Sequence, residues 1–150
     1  MKVLLQRVSA AAVSVAGRQV GAIQAGLCAL VGVAEGDSGP DAEALARRAV
    51  GLRVFEDEEG RMNRCLSEVG GGILVISQFT LFGNLRKGMR PSFNRAADPE
   101  VAERTYEEFL DRVGEELGLP AEAGRFGASM EIEAVNDGPV TIVIDSKDKR

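Results

Sequence analysis

Two apolar runs of β-forming residues in this chain meet backbone that an ordinary strand avoids. Ile73 to Ile76 lead into Ser77-Gln78-Phe79-Thr80-Leu81, and Asn136-Asp137-Gly138-Pro139-Val140-Thr141 lead into Ile142 to Ile144. Polar groups at the end of a buried strand are costly to desolvate unless each finds a hydrogen-bond partner. A Gly-Pro beside a strand sets rigid, donor-free backbone where a ladder should begin. Either segment alone reads as a strand end and a turn.

At 150 residues, 45% of them hydrophobic, the chain fits one domain with one good core. No apolar run reaches the ~18 residues that cross a bilayer. The N-terminus alternates apolar and polar residues, unlike a secretory signal. A soluble cytoplasmic protein is expected, with no membrane partner. Cys28 lies in the apolar run Leu27 to Val33 as a buried thiol, and its distance from Cys65 suits neither a structural disulfide nor zinc.

The chain contains no histidine. Ser-His-Asp and Cys-His schemes are therefore excluded, along with the commonest general base near neutral pH. Catalysis here has to use backbone donors, hydroxyls, other ionisable groups or the substrate itself, and no cofactor or metal is expected. The net charge, 18 − 23 = −5, argues against broad nucleic-acid binding and against DNA. Charge is uneven, however. Arg86, Lys87, Arg90 and Arg95 fall between Asn84 and Arg95 without an acid, Lys147, Lys149 and Arg150 crowd the C-terminus, and Glu56 to Glu59 form an acidic turn. Each basic cluster reads as a solvated segment or, for the first, as a phosphate contact.

Val3 to Val8 and Ala11 to Val15 read as two strands, and Gly17-Arg18 as a tight turn into a third, Gln19 to Ile23. Leu27 to Val33 has the continuous apolar character of a central strand buried on both faces. From Asp41 to about Leu52 apolar residues recur at the helical period. Arg53 to Phe55 is a short strand, Ile73 to Phe79 a longer one after Gly70-Gly71-Gly72, and Gly83 to Phe93 a loop. Asp98-Pro99-Glu100 starts a second helix and Gly118 ends it. Ser129 to Val135 and Val140 to Asp145 are the last strands. These elements predict a single α/β domain over 1–150, mostly sheet, with two helices packed on it.

An ordered set of motifs then resembles the D-aminoacyl-tRNA deacylases of the bacterial and eukaryotic type, over essentially the whole chain. The set begins with Leu5-Gln6-Arg7-Val8, Val20-Gly21 and Gly26-Leu27, and continues through Ser77 to Leu81 and Gly88-Met89-Arg90-Pro91-Ser92-Phe93. It closes with Gly124-Arg125-Phe126 and Asn136 to Thr141. The resemblance implies a barrel-like β-rich core and a homodimer with its site at the subunit interface. It implies hydrolysis of the ester joining a D-amino acid, or glycine mischarged on tRNA(Ala), to the terminal ribose of tRNA. It also implies a cis Gly138-Pro139 peptide that projects from one subunit into the pocket of the other, with Asn136 beside it.

The physics of such a site can be built independently. A pocket open to any D side chain has to hold the α-amino group and the carbonyl and exclude only the direction of an L side chain. A rigid backbone wedge does this without depending on a rotamer, and Gly138 lacks the Cβ that would obstruct the approach. An aminoacyl ester is already activated, so the main need is oxyanion stabilisation, for which backbone N–H groups of Gln78 and Phe79, beside Ser77, are candidates. Thr80 is either a nucleophile, which needs a base, or a group that orients substrate or water while the ribose 2′-hydroxyl assists. Arg7 reads as an ion pair, or as a fork that holds a carbonyl near the Gly-Pro wedge, as the resemblance implies. Phe93, Phe126 and Met130 are pocket wall or core. Arg86, Lys87 and Arg90 are the candidate phosphate contacts of an aminoacylated tRNA. Two other classes of function compete: a non-catalytic module binding a tRNA end or amino acid, and a threonine-nucleophile esterase of small D-amino acid esters.

Overall fold

The computed structural model describes residues 1–148, so Lys149 and Arg150 of the C-terminal basic cluster lie outside the described residues. In chain order the elements are β1 (Lys2–Val15), β2 (Arg18–Ile23), β3 (Gly26–Gly32), α1 (Gly39–Gly51), β4 (Phe55–Glu56), β5 (Met62–Arg64), β6 (Gly72–Ser77), a 3-10 turn (Phe79–Phe82), α2 (Pro99–Leu117), β7 (Glu122–Ala123) and β8 (Glu131–Asp145).

The sheet is organised on β1. One edge pairs antiparallel with β3 through Lys2 to Val8 and with β2 through Ala11 to Val15. The other edge pairs antiparallel with β8 from Lys2 to Ser14. The two expected N-terminal strands are therefore one. The break between them is only a pair of register slips against β8, at Gln6/Val8 and Val8/Ala10, which keep both halves hydrogen-bonded. The turn into β2 has left-handed backbone at Ala16 (φ 50°) and Gly17 (φ 76°), the form that matches strand twist.

β3 runs parallel to β6, and β6 parallel to β7, giving the order β2-β1-β3-β6-β7. The sheet curls until β7 meets β2: the Ala22 N–H donates to the Glu122 carboxylate at 3.4 Å, and a Cβ on Gly21 would lie 2.9 Å from the Ala123 oxygen. The result is a nearly closed barrel. Leu74, Ile76, Cys28, Val8, Ala11, Val13 and Ile23 fill its inside. Ile73, Val75, Leu27, Ala29 and Val31 face outward, under Leu45, Ala46 and Ala49 of α1 and Phe109 and Val113 of α2. β3 and β6 are thus buried on both faces, as a continuous apolar run implies.

α2 starts on Asp98 with Pro99 at its first position and ends at Gly118 (φ 74°), whose N–H donates to the Gly114 oxygen at 2.9 Å. α1 is capped by the reciprocal pair Ser38 and Asp41. Two expected strands have different limits. β6 stops at Ser77, because Phe79 to Phe82 wind into the 3-10 turn. The C-terminal strands form one, because β8 continues through a cis Gly138-Pro139 peptide. Among the described residues no helix is long and apolar enough to cross a membrane.

Candidate active site

The polar segment Ser77 to Leu81 sits where β6 leaves the barrel. Ser77 is the last strand residue, half-buried opposite Val31. The Gln78 N–H then donates to the Val31 oxygen at 2.7 Å, adding one rung beyond the strand. This corrects the expectation that Gln78 offers a free backbone donor: its N–H is spent on the sheet. The next two N–H groups, of Phe79 and Thr80, have no hydrogen-bond partner among the described residues. They open the 3-10 turn, whose first donors have no acceptor within the turn. The Gln78 side-chain amide donates to the Thr80 hydroxyl, and both groups lie at the surface.

Phe79 is 57% exposed, and its ring meets Phe93 edge-on with centroids 5.0 Å apart. Phe82, three residues on, is buried and anchors the turn beneath Lys2, whose ammonium lies 5.5 Å from the ring centroid. Phe93 therefore packs against the turn. Phe126 does not: it packs on Tyr106 at 5.8 Å, against the helix-side core. Met130 is half-buried and packs against the barrel cluster, its sulfur close to Gly124. The loop after the turn carries Arg86, Lys87 and Arg90, all exposed and in no ion pair among the described residues.

The second segment is built on β8. Asn136 pairs with Val8, and Gly138 (φ 132°) and Pro139 follow, all exposed. Arg7 lies behind them, only 6% exposed. Its Nε–H donates to the Asp137 carbonyl at 3.1 Å and faces the Asp137 carboxylate at 3.3 Å, and Nη1 donates to the Val54 carbonyl at 2.6 Å. Glu56 stands 4.0 Å from Nη2. The guanidinium thus fixes the carbonyl just before Gly138 and ties β8 to the loop ahead of β4. Asp137, Val54 and Glu56 were not legible as partners, since their approach to Arg7 is set by tertiary pairing alone.

One chain does not bring the two segments together. Asn136 is level with Val8, which is level with Gly26 at the start of β3, whereas Gln78 bonds Val31 near its end. Thr141, at the other end of the segment, is level with Gln6 and Cys28, so the two segments stand 31 − 28 = 3 to 31 − 26 = 5 residues apart along β3, about 10–16 Å of strand. Among the described residues no cluster of His, Cys, Asp or Glu stands ready to hold a metal. Burial pushes the Cys28 thiol up to about 11, so it stays protonated and unreactive.

Comparison with known proteins bears on the family of the chain. Residues 4–145 match the family model described as D-Tyr-tRNA(Tyr) deacylase. The D-aminoacyl-tRNA deacylase of Desulfatibacillum aliphaticivorans is 54% identical over 98% of this chain and 100% of its own. That of Opitutus terrae is 56% identical over 97% of each. A solved structure described as a c-Myc DNA unwinding element binding protein superposes with a TM-score of 0.91 at 39% identity, covering 99% of this chain and 100% of that one. By family model and by full-length relatives, the chain belongs to the D-Tyr-tRNA(Tyr) deacylase family.

Proposed function

We propose that the protein hydrolyses the ester of D-aminoacyl-tRNA and of glycyl-tRNA mischarged on tRNA(Ala), as a homodimer that needs no cofactor. The observation that carries this reading is the pair of unpartnered N–H groups of Phe79 and Thr80 on an exposed turn. Two such donors aimed at one developing oxyanion contribute about 3–4 kcal/mol each. An activated ester needs little more.

Thr80 serves as an orienting group in this reading. Its hydroxyl is paired with a carboxamide, which cannot accept a proton as a base does. The ribose 2′-hydroxyl beside the ester then assists attack. Phe79 and Phe93 wall the pocket, and Arg86, Lys87 and Arg90 hold the phosphates.

Chirality is set by Gly138-Pro139 of a second copy. The separation of the two segments along β3 supports this, because a wedge that far from the turn cannot serve its own chain. The uncovered apolar residues of β8, Val135 at 61% and Ile132 at 39% exposure, support an interface there. Arg7 holds the wedge through the Asp137 carbonyl, with Asn136 alongside. The cytoplasm, where aminoacyl-tRNA is used, is the expected compartment.

The test is hydrolysis of matched D-Tyr-tRNA and L-Tyr-tRNA by purified protein. Release from the D ester alone is expected, with activity lost when the terminal 2′-hydroxyl is absent and largely kept in Thr80→Ala. Equal rates on both esters remove the wedge. No release from either points to a binding module, and abolition by Thr80→Ala restores the threonine nucleophile.

A further inference from the structure

We infer that Gly32, at the end of β3, is a positioning residue for the turn that carries the Phe79 and Thr80 donors. The inference rests on the deacylase reading of that turn. Space and backbone conformation separate Gly32 from most of the turn glycines. Gly17, Gly36, Gly60, Gly70, Gly88, Gly118 and Gly127 have positive φ and open space around them, so their backbone conformation accounts for them. Gly32 has no positive φ and crowded surroundings. A Cβ there would lie 3.0 Å from the Gln78 carbonyl oxygen, 3.0 Å from Cε2 of Phe82 and 3.3 Å from the Leu81 Cβ. All three atoms belong to the turn or to the residue that starts it.

None of them can yield alone. The Gln78 oxygen accepts the Leu81 N–H at 3.3 Å, and the Gln78 N–H is held by Val31 at 2.7 Å. The Phe82 ring is buried and cannot swing into solvent. A methyl group on Gly32 therefore lifts the turn as a unit by a few tenths of an ångström. Gly83 repeats the arrangement at the far end. Its φ is −57°, its N–H donates to the Thr80 oxygen at 3.0 Å, and a Cβ would meet that oxygen at 3.1 Å and the Phe93 ring at 3.4 Å. The turn is thus seated between two glycines chosen for space, with Phe79 and Thr80 exposed. Gly32 touches no substrate; it sets the aim of groups that do.

The experiment compares single-turnover and steady-state hydrolysis of D-Tyr-tRNA by the wild-type protein, Gly32→Ala, Gly83→Ala and Gly51→Ala. Gly51 has nothing within 4 Å of its missing Cβ and serves as the control. Since a misplacement of 1 Å costs on the order of 100-fold, Gly32→Ala is expected to lower kcat about tenfold, with KM within about twofold of wild type. Gly51→Ala keeps the wild-type kcat. If Gly32→Ala unfolds below assay temperature, Gly83→Ala carries the same expectation from the other end of the turn. An unchanged kcat, or a KM rise with kcat intact, overturns the positioning role while leaving the deacylase reading in place. A wild-type protein that releases no amino acid overturns both.

Discussion

The turn after β6 and the Gly-Pro segment of β8 both set polar backbone beside apolar strand residues, yet the molecule supports them in opposite ways. The turn is anchored from inside: the Gln78 N–H joins the sheet, Phe82 is buried, and Gly32 and Gly83 leave room for its backbone. The Gly-Pro segment is exposed from Glu131 to Pro139, and its firm hold from within is the buried guanidinium of Arg7. Charge divides them as well. Arg86, Lys87 and Arg90 follow the turn, whereas Glu131, Glu133 and Asp137 flank the Gly-Pro. The difference teaches that rigidity has two sources here. A core fixes the turn, and a single buried side chain fixes the exposed Gly-Pro segment.

Removing Arg7 tests this most severely. Arg7→Ala leaves the Val54 carbonyl without its buried donor and frees the Asp137 carbonyl. A loss of about 2–4 kcal/mol in urea unfolding is expected, together with loss of discrimination between D and L esters. An unchanged unfolding midpoint would mean that β8 is held by its ladder alone. Gly138→Ala comes next. Its φ of 132° suits no L side chain, and the added Cβ would stand 2.7 Å from the Val140 nitrogen. The expected cost is about 1–3 kcal/mol in the same assay, with a fall in turnover. Wild-type stability and turnover would show that the segment relaxes freely, and the contrast with the turn would fail. The smallest effect separates the charges. Arg86→Ala with Lys87→Ala should flatten the slope of log affinity against log salt for tRNA by about 2, whereas Glu131→Gln with Glu133→Gln should not. Equal slopes in both pairs would place the tRNA away from the loop.

Much of this architecture was legible in the chain because local chemistry and tertiary structure agree. Asp98, Pro99 and Gly118 bound α2 where their capping preferences place them. The apolar run through Cys28 is a strand buried on both faces. What was not legible depends on distant pairing. Nothing near Ser77 says that β6 stops there, because the Gln78 N–H is claimed by Val31, far away in sequence. The same bond removes Gln78 from the candidate donors and leaves Thr80 in its place. Met130 lies beside the motif loops in sequence, and its contact with the barrel cluster is set by tertiary packing alone. Gly138-Pro139 looks like the end of one strand and the start of another, but β1 pairs on both sides of it and makes β8 one element. Gly32 carries no signal at all, since a glycine that leaves space for another segment is silent until that segment is seen.

The pairing of β1 with β8 also bears on how the chain is made. Arg7 and Asp137 are 130 residues apart, and the edge of β1 that β8 covers has no other partner in the sheet. At about 5–20 residues per second of synthesis, that edge waits roughly 6–26 s for its complement to leave the ribosome. During that interval it presents a row of free amides and carbonyls that could template pairing with a neighbouring nascent chain. The helices and the β1-β2-β3 hairpins can form early, but the barrel wall closes late, and the Gly-Pro segment is set in place only with that final strand.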